Sequence, residues 1–290
     1  MDNTLIVSSS PHLHCGMNTR TIMLDVLIAL APAGIASVWL FGWRALLVEL
    51  ICVASAMAAE VLSRAVMKRP QTVGDLSCVV TGLLLAYNLP STIPLWQAAL
   101  GSVVAIVVAK QMFGGLGQNF VNPALLGRIV LMGSFPGEMN NWVAPMQWQG
   151  ADAISSATPL ALMSQGGDPS AFSPLQLFVG MRGGCLGVYI GTVFVMTWLL
   201  GGNPLYHILS GGLMLGAIFM ATDYTTSPIN KAGKVVFAVG CGLLTVLIRL
   251  YGSLPEGVSF AIVIMNILVP LIERVTRPRP FGEKRRARHE

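Results

Sequence analysis

A chain of 290 residues of which 54% are hydrophobic and only 11% charged falls far below the roughly 25% charge of an average soluble protein. With a mean hydropathy of +0.68 it lacks the polar surface to clothe a water-facing globule, which makes it an all-α integral membrane protein covered largely by lipid. The net charge of +5 is concentrated in a tail, since seven of the eighteen Lys and Arg residues lie between Arg274 and Arg288; with one phenylalanine, Phe281, among them, that block anchors to anionic lipid and excludes a nucleic-acid site.

Residues 1–20 form a polar lead-in without the basic flank, apolar run and small-residue cleavage site of a signal peptide. His12, His14 and Cys15 cluster there, but no fourth ligand stands near them, so no metal site is assigned. The five cysteines include no C-x-x-C pair and encode neither a disulfide framework nor an iron–sulfur cluster.

Apolar runs able to cross about 30 Å of hydrocarbon are expected at Ile22–Phe41, Ala45–Val66, Leu95–Met112, Leu205–Ala221, Val235–Tyr251 and Val258–Ile272. Three shorter candidates, Leu76–Leu89, Phe120–Met132 and Val188–Leu200, are bounded or interrupted by Gly, Pro or Asn. Broken segments of this kind are usually buried among other helices and line a site. The expected plan is about nine membrane segments: a first bundle over 21–133, a loop over 134–171, a second bundle over 172–274 and the basic tail 275–290.

No Lys or Arg occurs between Arg128 and Arg182, so the loop faces away from the cytoplasm, whereas Arg64, Lys68, Arg69, Lys231, Lys234 and the tail mark cytoplasmic ends. With the N-terminus inside, five crossings reach the loop. The count beyond it is then short by one span if Lys231, Lys234 and the tail are also to lie inside: either Phe172–Gly187 serves as a Gly-rich partial helix or a segment is missing. The halves echo each other: Leu83–Pro94 and the span ending at Lys110 parallel Ile218–Pro228 and the span ending at Arg249. The echo suggests a pseudo-two-fold repeat with broken helices and a ligand site at the repeat interface, although Gly-rich membrane stretches also match by composition alone.

Two strings carry chemistry. In the string from Lys110 to Ala124, Gly114 and Gly115 permit a turn and close approach to a ligand, and Asn119 and Asn122 place amides at membrane depth; spacing alone favours small-residue helix packing. The other runs from Asp152 through Ser155, Ser156 and Ala157 to Thr158 and Pro159, and its residue pattern alone reads as a helix cap. Intramembrane carboxylates are functional candidates by default. Asp223 comes first, at the end of a broken segment, and Asp25 next, as an ion path; a cap, or an ion pair of Asp223 with Lys231, is the structural alternative. Glu49 and Glu60 lie on one helix face at opposite depths.

These two strings, with Ser10-Pro11-His12, Thr81-Gly82-Leu83-Leu84-Leu85, Ser210-Gly211-Gly212 and Phe219-Met220-Ala221-Thr222-Asp223, resemble the D subunits of Rnf ion-translocating oxidoreductases, relatives of the B subunit of the sodium-pumping NADH:quinone oxidoreductase. The resemblance runs from about Ser10 to Arg274. It implies FMN joined through a phosphoester to Thr158 by a separate flavin transferase, with Asp152, Ser155, Ser156 and Ala157 as the recognition sequence and Ser156 where Gly is commoner. The flavin would then supply the redox chemistry and the protein its position.

The resemblance also implies a riboflavin held without covalent linkage near Lys110, Gly114, Gly115, Asn119 and Asn122. Partner subunits, among them an FMN-bearing G-type subunit and a cluster-bearing subunit, would carry the remaining steps between ferredoxin and NAD. The location implied is a bacterial or archaeal cytoplasmic membrane, with the flavin loop outside. An inverted-repeat channel for a small solute and a subunit of a quinone-reducing sodium pump are the alternative functions. The family pattern departs at one point: Gly183-Gly184-Cys185-Leu186-Gly187 runs straight into Val188-Tyr189-Ile190-Gly191-Thr192-Val193-Phe194, where family members place a further span. A family plan of ten helices is thus reduced near 187/188, where the charge count also falls short.

Overall fold

The computed structural model describes residues 18–143, 146, 184–223, 225–252 and 257–277. They form an all-α membrane protein, with four helices long and apolar enough to cross a bilayer: Thr19–Phe41, Trp43–Val66, Lys231–Tyr251 and Val258–Thr276.

Helix α1 (Thr19–Phe41) shows mostly exposed apolar side chains and buries only Met23 and Leu30, as expected of a helix on the lipid side of a bundle. It ends where Gly42, at φ +79°, donates its N–H to Val38 O. That backbone region favours glycine, and α2 (Trp43–Val66) starts at the next residue. The buried face of α2 carries Val48, Cys52, Ala56, Ala59 and Glu60 at the three- and four-residue spacing of a helical stripe. Its small residues let α3 (Ser77–Ala86) approach closely: a Cβ on Gly82 would stand 2.9 Å from Cys52 O.

Helix α4 (Leu95–Val104) runs parallel to α2, with Cys52 against Ala98 O and Glu60 against Lys110, and widens into a π-helical stretch over Ala105–Gln111. Stretches of this kind are frequent at functional sites. Next come α5 (Pro123–Ser134) and the short α6 (Pro136–Met139). The second half contains α7 (Gly184–Leu199), α8 (Pro204–Leu209), α9 (Leu213–Leu215) continuing as a π-helical stretch over Gly216–Met220, α10 (Lys231–Tyr251) and α11 (Val258–Thr276).

The structure corrects one expected span. Leu205–Ala221 is not a single helix but is broken at Ser210-Gly211-Gly212, where Gly211 adopts φ +71°. Two successive glycines make that break inexpensive. The three short segments are apolar helices of 10–17 residues, and one buried core joins α1 through α5 to the second half through Leu213, Ala217, Met220 and Val258.

Candidate functional site

Where the start of α1, the middle of α3 and the turn at the end of the second π-helical stretch meet, they enclose a cavity of about 330 Å³. Val26, Val80, Leu84 and Phe219 give it apolar walls, and Lys110, Asn119, Asn122 and Asp223 supply polar groups. The mixture is that of a small-molecule site, at the low end of the about 300–1,000 Å³ such sites occupy.

Lys110 is placed by the π-helical stretch that ends α4 and is 2% exposed. Its Nζ donates to Glu60 Oε2 at 2.6 Å and to Ser77 Oγ at 2.7 Å, while Thr72 Oγ1 donates to the other Glu60 oxygen at 2.6 Å. Glu60 is fully buried, and this is the one salt bridge among the described residues. A charge at such depth is tolerable only when paired and hydrogen-bonded.

Opposite Lys110, Asn119 Nδ2 donates to Val121 O at 3.3 Å and to Thr225 Oγ1 at 3.2 Å. Thr225 Oγ1 in turn donates to Asp223 Oδ2 at 2.9 Å, and Thr226 Oγ1 donates to the same oxygen at 3.3 Å. Asp223 is therefore held within its own turn by hydroxyls, and Lys231 takes no part in that hydrogen bonding. Asn119 Oδ1 is buried without a partner, a cost that a ligand donor would remove.

Asn122 caps α5, its Oδ1 accepting from Ala124 N at 3.1 Å and Leu125 N at 3.4 Å. Deeper in the bundle, Arg128 Nη1 donates to Asn88 Oδ1 at 2.8 Å and Ser259 Oγ at 3.1 Å. Arg128 thus ties α5 to the broken end of α3 and the start of α11. In the second half, buried Arg249 donates to His207 O and, at 3.2 Å, to Ser210 O.

The structure gathers Lys110, Asn119, Asn122 and Asp223 on one cavity. Gly114 and Gly115 do not line it. They form a turn with Gly117, at φ +125°, +110° and +86°, and Gly115 packs directly against the Arg64 guanidinium. Asp25 is exposed on α1 and stands apart from the cavity. Thr158, Asp152, Ser155, Ser156 and Ala157 lie outside the described residues, as do His12, His14 and Cys15. Sequence reasoning missed the joining of Glu60, Thr72 and Ser77 to Lys110. The available signal was one acid and one base, both at membrane depth.

The chain matches the NQR2, RnfD, RnfE family over residues 6–189 and 186–282. It is 44% identical over 307 aligned positions to the D subunit of the Na(+)-translocating ferredoxin:NAD(+) oxidoreductase complex of Acetobacterium woodii, covering 96% of this chain and 95% of that one. It is 38% identical over 326 positions to the D subunit of the proton-translocating ferredoxin:NAD(+) oxidoreductase complex of Clostridium ljungdahlii, covering 98% of each. With the D subunit of the ion-translocating oxidoreductase complex of Stutzerimonas stutzeri it shares 37% identity, covering 92% of this chain and 93% of that one.

Proposed function

The chain belongs to the NQR2, RnfD, RnfE family, and on that premise we propose that it is the flavin-carrying membrane subunit of an Rnf-type complex. It is a multi-pass bacterial inner-membrane subunit of a ferredoxin:NAD+ oxidoreductase coupled to ion translocation, and acts as an enzyme only within that assembly. The observation that carries the flavin reading is the Ser155-Ser156-Ala157-Thr158 string, set in a stretch free of Lys and Arg. Thr158 takes FMN in phosphoester linkage outside the cytoplasm from a separate flavin transferase, Asp152 belonging to the recognised sequence. An FMN-bearing G-type subunit and a cluster-bearing subunit flank it in the electron path. Co-expressed with the transferase and denatured on a gel, the chain is expected to fluoresce and to gain the mass of one FMN; Thr158→Ala is expected to do neither. Fluorescence surviving in Thr158→Ala would sink the assignment.

The cavity beside Lys110 fits a second, non-covalent flavin such as riboflavin. Its apolar walls suit a ring system, and the unpartnered Asn119 Oδ1 is free to accept from a ligand N–H or hydroxyl. Asn119 and Asn122 would orient the ligand, Lys110 would border it, and Gly114 and Gly115 shape the loop that carries the asparagines. When bound, a flavin supplies one- and two-electron chemistry.

We infer also that the second half is one span shorter than the family plan. At 96% of its length this chain supplies about 278 residues to the 307 positions aligned with the Acetobacterium protein, which leaves room for about one helix of 20 residues and a linker. The two stretches matching the family meet at 186–189, where the family pattern departs. The packing supports a reading in which the missing span is the counterpart of α1. In the first half Ala56 and Ala59 cluster with Ile106, and Lys110 meets Ser77; in the second Tyr189 bonds Thr245, Thr192 faces Gly242, and Arg249 meets Ser210. Helix α7 thus stands where α2 does, and no counterpart of α1 precedes it among the described residues. Both termini mapping to the cytoplasm by cysteine labelling would count an even number of crossings and refute the loss.

A further inference from the structure

Glu49 lies two turns into α2, at the end away from Glu60 and roughly 16 Å from it along the axis. Glu60 is neutralised by Lys110, whereas no base forms a salt bridge with Glu49 among the described residues. Arg44, at the same end of α2, points its guanidinium to backbone carbonyls, Nε donating to Ser91 O and Nη2 to Thr92 O. A carboxylate at membrane depth without a counter-charge calls for an explanation.

Its neighbours are oxygens. Ser37 Oγ contacts Glu49 Oε1 and also reaches Gly34 O at 2.9 Å. Glu49 Oε2 has no hydrogen bond among the described residues, and Tyr87 OH, which donates its hydrogen bond to Leu30 O at 3.1 Å, keeps its lone pairs for another partner. Gly34 lets these groups converge: a Cβ there would lie 2.6 Å from Tyr87 OH and 3.6 Å from Glu49 Oε2. Beside them is a cavity of about 80 Å³, bounded by Ser91 and Trp142 on the side of the Lys- and Arg-free loop, with room for an ion and one or two waters at roughly 30 Å³ each. Beyond it, toward Glu60, the same face of α2 continues as buried Val48, Cys52 and Ala56.

We propose that Glu49, Ser37 and Tyr87 form a site for the translocated ion on the outer side of the membrane, built for a partly dehydrated sodium ion. One carboxylate charge balances the monovalent cation, and the hydroxyl oxygens are the hard ligands it prefers. The site rests on the ion-translocation reading above and adds a location to it. Among the described residues it belongs to the first half, because Ser37, Gly34 and Leu30 O all come from α1, which has no counterpart in the described part of the second half.

The complete complex in proteoliposomes, driven by reduced ferredoxin, tests the site through ²²Na⁺ uptake, with gel flavin fluorescence reporting assembly. Glu49→Gln keeps the shape and removes the charge; Gly34→Ala keeps the charge and fills the gap. Each is expected to raise the sodium concentration for half-maximal uptake by about tenfold or more, and Ser37→Ala by less, since ligand charge count sets affinity. Unchanged sodium dependence in Glu49→Gln and Gly34→Ala, both assembled, would overturn the site, as would uptake of protons without any sodium dependence in the wild type. Wild-type complex that reduces NAD and moves no ion would sink the translocation reading beneath it as well.

Discussion

Lys110 and Arg249 are both buried cations near the C-terminal end of a long helix, each beside a serine, Ser77 or Ser210. The first half neutralises its cation with the carboxylate of Glu60, while the second satisfies its cation with the carbonyls of His207 and Ser210 at the end of α8. The difference follows from the two side chains. Ammonium is a compact, strongly hydrated charge and needs a counter-ion when buried; guanidinium is weakly hydrated, and its planar fork spans two carbonyls at the negative end of a helix. The first half thus presents a neutral but polarisable pair to its cavity, and the second a fixed positive charge locked into the fold.

The strongest test of that contrast is Glu60→Gln. It strands Lys110 in the core, and loss of one partner of a buried pair costs about 3–5 kcal/mol. Thermal unfolding of the detergent-purified chain is expected to show it as a large loss of melting temperature, and Glu60→Gln combined with Lys110→Met is expected to recover most of it. Wild-type stability in the single variant would mean that Lys110 does not depend on Glu60, and the contrast with Arg249 would vanish. Arg249→Lys ranks next: one ammonium replaces the fork, leaving His207 O or Ser210 O without its donor at about 1–3 kcal/mol. The same melting experiment checks it, and a cost as large as that of Glu60→Gln would show that Arg249 depends on a carboxylate after all.

Packing gives a test in which the halves should agree. Gly82 sits 2.9 Å, at its virtual Cβ, from Cys52 O, and Gly242 stands 2.7 Å from Thr192 Cβ. Gly82→Ala meets backbone that cannot step aside, so an overpacking cost of about 1–3 kcal/mol is expected; Gly242→Ala should fall in that range, whereas Gly74→Ala, with open space around it, should be nearly neutral. Opposite results at Gly82 and Gly242 in unfolding measurements would break the structural parallel between α2 with its neighbours and α7 with α10.

The parts of this architecture that sequence makes visible are those set by apolar length. α1, α2, α10 and α11 fall within a few residues of their expected bounds because uninterrupted apolar runs in lipid have no other regular state. Leu205–Ala221 misled because its mean hydropathy is high while the backbone freedom of Gly211 and Gly212 decides the conformation. The two π-helical stretches leave no trace in the apolar pattern, yet one of them aims Lys110 at an acid fifty positions away in the chain. Asn119 and Asn122 are recognisable as amides too costly to leave unpaired at depth. Gly114 and Gly115 signal a close approach, and only the fold shows that Gly115 meets the Arg64 side chain and Gly114 that of Gln118.

The smallest expected effect concerns helix starts. α5 begins with Asn122 accepting two backbone N–H groups and Pro123 in the first turn, whereas α11 begins after Gly257 with no side-chain cap. A capped start suits α5, since its first turn borders the cavity and its Arg128 must reach Asn88 and Ser259. Asn122→Ala leaves the N–H groups of Ala124 and Leu125 unpaired at a buried position, for a cost of about 1 kcal/mol. Asn122→Ser, which restores an acceptor, should recover most of that in thermal unfolding. If alanine and serine behave alike, the amide at position 122 is present for a ligand in the cavity and not for the helix, and a flavin-binding defect shared by both variants would then be the expected companion result.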